Sequence, residues 1–150
     1  MATPLFIDTA AFFAWFNERA TEHDRARTVF EGIQSGDILY DPLFTSRYVL
    51  SELATLLRRK ISHTAAVGAL STIRAATSFN VLTVGTDLFD RTCEEFARYD
   101  DQQISFVDHS SSVLARARDI DHVFTFDRRD FGTLGFTVVP DETGEGRSER

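Results

Sequence analysis

The 150-residue sequence predicts an α/β fold: a central, mostly parallel sheet of about four to five short strands, flanked by helices. Three observations carry that prediction. Short apolar runs (5-LFI-7, 79-FNVLTV-84, 123-VFTF-126, 137-TVV-139) alternate with longer stretches whose apolar residues recur at helical spacing. No linker or internal repeat divides the chain, and its length suits one domain with a real core. Two of the runs, near opposite ends of the chain, stop on a carboxylate, Asp8 and Asp127. Open parallel sheets place their clefts at the carboxyl ends of their strands, where both acids would sit.

Taken in order, 5-LFI-7 reads as a buried strand, and residues 9–18 as a helix with Phe12, Phe13 and Phe16 on one side. In 22-EHDRARTVFEGIQSG-36, Ala26, Val29, Phe30 and Ile33 fall at core spacing and Gly36 is a helix stop. Residues 38-ILY-40 give a second strand, broken by 41-DP-42. Helices follow over 44–59 and 62–77, then the strand 79–84 and a helix over 86–98. Residues 105–119 are helical, 123–126 and 137–139 are the last strands, and the polar tail 141–150 is expected to be disordered. The expected domain therefore spans 1–140.

The composition is 43% hydrophobic with 14 phenylalanines, which supports a packed globule. One cysteine, Cys93, excludes an intrachain disulfide and fits a reducing cytoplasm. No charged-then-apolar leader and no apolar run long enough for a bilayer are present, so a soluble cytoplasmic protein with no membrane partner is expected. Net charge is −7, and of the 16 basic residues only Lys60 is lysine. That balance fits proteins adapted to concentrated salt, and GC-rich coding produces it as well. On charge alone an acidic protein is a poor partner for nucleic acid.

Two further acids stand out. In 47-RYVLSELATLLRRK-60, Val49, Leu50, Leu53, Leu56 and Leu57 form an apolar stripe with Glu52 at its edge. In 105-SFVDHSSSVLARA-117, Asp108 lies in the first turn of a helix whose buried face is Phe106, Ser110, Val113, Leu114 and Ala117. Each acid also has an ordinary reading. Asp8 suits a helix N-cap, Asp108 a capping box with Ser105, Glu52 a pair with Arg59 or Lys60, and Asp127 a turn. Together they suggest one cleft. Clustered carboxylates repel, so their pKa values rise or a cation enters, and hard ions such as Mg2+ or Mn2+ suit all-oxygen sites. His23, His63, His109 and His122 are scattered, and Cys93 has no partner at zinc-site spacing.

The pieces 6-FIDTAAFFAWF-16, 49-VLSELATLL-57, 104-ISFVDHSSSVLARA-117 and 124-FTFDRRDFGTLGFTVV-139 together resemble the PIN-domain ribonuclease family, especially its VapC-type toxins, from about residue 4 to 140. The resemblance implies a three-layer PIN-like fold and an acidic quartet at Asp8, Glu52, Asp108 and Asp127. Asp8, Asp108 and Glu52 would be the metal ligands, with Thr9, Ser105, Thr125 and Asp101 in support and Asp130 a further acid of the site. The implied reaction is Mg2+- or Mn2+-dependent hydrolysis of an RNA phosphodiester, leaving 5′-phosphate and 3′-hydroxyl ends. A homodimer and a small antitoxin that covers the cleft are the implied partners. The residues after Asp108, 109-HSSS-112, depart from the small apolar residue usual there.

Metal ions would offset part of the cleft's charge. Arg47, Arg58, Arg59, Lys60, Arg128 and Arg129 are candidates to hold phosphates around it. A haloacid-dehalogenase-type phosphatase needs a second Asp two residues after the first, where Ala10 stands. A receiver domain needs a late lysine, which this chain lacks. A housekeeping RNA-processing nuclease, or a catalytically silent PIN-like module that binds RNA or protein without cutting, remains the alternative.

Overall fold

The computed structural model describes residues 2–141. Within them run β1 (Thr3–Ile7), α1 (Thr9–Phe16), α2 (His23–Ser35), β2 (Tyr40–Ser46), α3 (Arg47–Lys60) and α4 (His63–Ala75). Then come β3 (Phe79–Leu82), α5 (Thr86–Arg98), α6 (Phe106–Ala117), β4 (His122–Phe124), α7 (Arg128–Thr133) and β5 (Thr137–Val139). The expected tail lies, from residue 142 onward, outside the described residues.

All strand pairs are parallel, and the spatial order is β3-β2-β1-β4-β5. The α/β class and parallel sheet read from the sequence are the architecture found. β1 is central, which explains its unbroken apolar run: Leu5, Phe6 and Ile7 are wholly buried. The chain adds β2 and β3 on one side of β1, then β4 and β5 on the other. The order reverses between β1 and β4, and this switch point opens a crevice beyond their carboxyl ends.

The aromatic-rich start of the chain is used in the core. Phe12 is fully buried, while Phe13, Trp15 and Phe16 are half-buried and pack against it. Trp15 stacks on Phe30 at 4.0 Å between ring centroids, and Phe30 meets Phe124 of β4 at 4.9 Å. Burying each such ring contributes roughly 1.5–3 kcal/mol. Those contacts fasten α1 and α2 to the sheet beside the crevice. Ser46, Ser62 and Ser105 cap α3, α4 and α6 by accepting the N–H of Val49, Ala65 and Asp108 at 3.1, 3.0 and 3.1 Å.

Some boundaries differ from the sequence reading, for identifiable reasons. β2 begins at Tyr40, where the predicted strand was to end, and runs through Pro42 to Ser46. The register between β1 and β2 shifts between Thr3↔Tyr40 and Leu5↔Leu43, so one extra residue bulges there. β3 joins only from Leu43 onward, so Pro42 falls at the irregular, edge-like start of the strand. The helix expected from 44 starts at Arg47 as a result. α7 went unpredicted, because six residues with Phe131 as their buried anchor give too little periodicity to read.

α6 ends with Asp119 in the left-handed region at φ 58, its N–H donating to Arg116 O, while Ile120 N–H reaches Ala115 O. That closing turn favours glycine. Asp119→Gly should therefore stabilise the protein by about 0.5–1 kcal/mol in urea unfolding, whereas Asp119→Val should destabilise it. Equal midpoints for the two variants would contradict this account.

Candidate active site

A cleft of about 700 Å3 opens at the switch point, lined among others by Asp8, Glu52, Asp108, Asp127 and Asp130. Asp8 follows β1 directly, and Asp127 lies three residues beyond β4. Glu52 comes from the second turn of α3 and Asp108 from the first turn of α6. The sequence-predicted quartet is thus brought into a single cavity by four different elements.

Asp8 occupies the N-cap position of α1, yet its side chain makes no capping bond. Its Oδ2 accepts the Thr125 hydroxyl at 2.8 Å instead. Thr125 Oγ1 in turn accepts the Asp127 N–H at 3.0 Å. One buried hydroxyl therefore fixes both acids and ties the end of β1 to the end of β4. Asp8 Oδ1 and the neighbouring Thr9 Oγ1 are buried without a hydrogen-bond partner. Such orphaned acceptors in a cleft are costly unless something outside the chain satisfies them.

Electrostatics point the same way. Burial pushes the Asp8 carboxyl up to about 6, with the charges of Glu52 and Asp127 adding, against the opposing bonds from Thr125 and Thr9. Burial pushes Asp108 up to about 9, and Asp8, Asp127, Glu52 and Asp130 all add to the effect. Asp130 is also raised, first by burial and then by the charge of Asp127 and its hydrogen bond to it, with Arg129 opposing. Without a cation, the chain holds protons here that ordinary carboxylates release.

Asp130 gains weight relative to the sequence reading. One carboxylate oxygen each of Asp108, Asp127 and Asp130 lies within 4.8 Å of the others, close enough for a single ion. The cause is α7: three residues along a helix, Asp130 falls on the same side as Asp127. The donor set is all carboxylate and hydroxyl, with a strong negative surplus and free acceptors. Those residues fit a hard divalent cation.

The supporting residues divide. Thr9 and Ser105 line the cleft, as does Gln103, which the sequence did not single out, whereas Asp101 is exposed on the α5–α6 connection and absent from the lining. Arg59 is the basic residue of the lining among the described residues. Arg47 lies in a separate hollow with Arg74, and Arg128 in another with Arg25 and Arg129; Arg58 is exposed and in neither. His109 turns from the cleft toward the rings of Phe96 and Tyr99, at 5.9 and 5.3 Å, and burial lowers its pKa. No helix among the described residues is long and apolar enough to cross a membrane.

Comparison with known proteins now bears on the chain as a whole. The 23S rRNA-specific endonuclease VapC20 of Mycobacterium tuberculosis is 33% identical over 138 residues, covering 92% of this chain and 99% of that protein. Its crystal structure, described as a sarcin-ricin loop cleaving toxin, superposes with a TM-score of 0.79 over 89% of this chain and 96% of that one. At 15% identity, DNA-bound VapBC from Salmonella typhimurium shares the fold, with a TM-score of 0.64 over 91% and 96% of the two chains. The PIN domain model matches residues 5–136, which spans every element from β1 to α7, and the chain belongs to the PIN domain family.

Proposed function

We propose that this chain is a Mg2+- or Mn2+-dependent endoribonuclease and the toxin of a toxin–antitoxin pair, working in the cytoplasm. The observation that carries the reading is the cleft itself: five carboxylates line it, and one oxygen of theirs, Asp8 Oδ1, is buried without a hydrogen-bond partner. The resemblance to an rRNA endonuclease along nearly the full length of both chains supports RNA as substrate, and the sarcin–ricin loop is the first RNA to try. Solved neighbours that are toxin–antitoxin complexes support an antitoxin partner, and a homodimer is proposed with it.

Asp8, Asp108 and Glu52 would hold the ion, with Asp127 and Asp130 completing the acidic set. When bound, it supplies charge to polarise the scissile phosphoryl group and to acidify an attacking water. The protein's own part is positioning. Thr125 locks Asp8 and Asp127 in register, leaving Asp8 Oδ1 pointing free. Asp127, half-exposed, and Glu52 at the cleft's edge are placed to orient water and accept its proton. Arg59 stands in the lining to pair with a phosphate oxygen.

Purified protein should cleave a labelled sarcin–ricin RNA with Mg2+ or Mn2+, lose activity in EDTA, and lose at least about 100-fold in rate as Asp8→Asn. Metal-independent cleavage, or an active Asp8→Asn, would overturn the proposal.

A second expectation concerns stability. Because the folded-state pKa values of Asp8 and Asp108 are raised, the metal-free fold binds these protons more tightly than the unfolded chain. That stability is present at low pH and is lost as pH rises from about 4 toward 9. Metal-free protein should therefore melt higher at pH 5 than at pH 8. At pH 8, Asp8→Asn should raise the Tm by a few degrees, on the order of 1–3 kcal/mol. Divalent metal should stabilise the wild type at pH 8 and do little for the variant. A Tm that climbs from pH 5 to 8 without metal would show that repulsion in the cleft does not govern stability.

A further inference from the structure

On the far side of α7 from the acids lies a second hollow, lined by Arg25, Arg128, Arg129, Gly132, Phe136 and Val138. It gathers three guanidinium groups in a protein of net charge −7. Arg25 is fixed in three ways. It pairs with Glu22 at 3.0 Å, donates to the Asp141 carbonyl at 3.3 Å, and lies over the Phe126 ring at 5.6 Å. Arg128 donates to the Pro140 carbonyl. Arg129 makes no hydrogen bond or ion pair among the described residues, and its charge acts to lower the pKa of Asp130.

The Pro140 carbonyl thus orients Arg128 without cancelling its charge, while Arg25 is braced by a carbonyl and a ring as well as by its ion pair with Glu22. Glu22 pairs with Arg25, and burial, then the charge of the Asp141 side chain, raises the pKa of Tyr40. Pre-set guanidinium forks match phosphate oxygens in geometry and lose little entropy on binding. The floor, Phe136 and Val138, is apolar and would accept a sugar or base face.

The position names the ligand. α7 sends Asp127 and Asp130 into the acidic cleft while Arg128 and Arg129 line the hollow, so the two sites share one short helix. A strand leaving the cleft over α7 passes directly onto the arginines. We propose that this hollow holds a backbone phosphate of the RNA flanking the one that is cut. This rests on the ribonuclease reading above and adds to it a substrate-positioning subsite.

The test compares full-length chains with single-stranded RNA containing the sarcin–ricin loop. Binding is measured in the Asp8→Asn background across roughly 50–200 mM salt, and cleavage in the otherwise unaltered chain. Arg129→Gln removes a charge without removing a hydrogen bond or ion pair among the described residues, so a folding defect is not expected; its Tm is checked. The slope of log affinity against log salt should become shallower by about 0.7. KM should rise roughly five- to tenfold with kcat retained. Arg129→Lys should restore the slope, and Arg91→Gln on the exposed face of α5, an equal charge loss elsewhere, should leave both readings unchanged.

Cleavage by the wild type together with an unaltered slope and KM in Arg129→Gln would overturn the subsite alone. So would a loss confined to capture of an acidic protein partner. A wild type that cuts no RNA with either metal would instead remove the ribonuclease reading beneath it.

Discussion

Carboxylates confined in one crevice repel, and the rest of this structure is arranged around that repulsion. Asp8 and Asp108 are almost wholly buried, and Glu52, Asp127 and Asp130 face the same space. At an effective dielectric constant near 20, two charges 4 Å apart interact by about 4 kcal/mol. A chain with no use for such a cluster would have replaced these acids with amides at a gain in stability, as is common at functional sites. The acids that a stable fold would avoid are the ones that a cation and a phosphate need.

The fold holds them together by making unrelated segments neighbours. β1 and β4 are adjacent because the chain doubles back at the middle of the sheet, and this alone puts Asp8 beside Thr125. Phe6 pairs with Val123 and Ile7 with Phe124, so a one-residue slip would carry Thr125 away from Asp8. The slip is opposed by the core. Phe124 sits against Phe30, Phe6 and Ile7 are fully buried, and each pins the register through packing that the acids cannot supply. Apolar burial thus carries the energetic load of the site, and the hydroxyl of Thr125 sets its fine geometry.

Much of this was legible in the sequence because it is written locally. A strand buried on both faces reads as an unbroken apolar run, and the residue after it reads as cleft-facing; Asp8 follows from 5-LFI-7 on those grounds. Glu52 was visible from its place at the edge of an apolar stripe, and Asp108 from the serine cap three residues before it. What was not legible depended on pairing between distant segments. The continuation of β2 past Pro42 is set by β1 and by a bulge, and no local propensity signals it. α7 is too short to show a period, so Asp130 ranked below Asp127 although the two share a face. The sequence offered Arg47, Arg58, Arg59, Lys60, Arg128 and Arg129 as candidates and had no means to sort them, because a long side chain can turn to either side of its helix. Among the described residues Arg59 is the basic one that lines the cleft.

The preference for arginine over lysine sets how this surface can bind. One lysine among 16 basic residues leaves nearly all positive charge on groups that hold a fixed planar fork. With a net charge of −7 the protein repels RNA at long range, and at 1 M salt the screening length falls to about 3 Å, so steering across the surface contributes little in either direction. Affinity must then come from contacts made at hydrogen-bonding distance. Arg25 and Arg128 are braced by backbone carbonyls close to the end of β5, on the same stretch of surface that α7 separates from the acids. Placing donors for phosphate on one side of that helix and acceptors for a cation on the other would let an acidic protein grip a polyanion without lowering its overall negative charge.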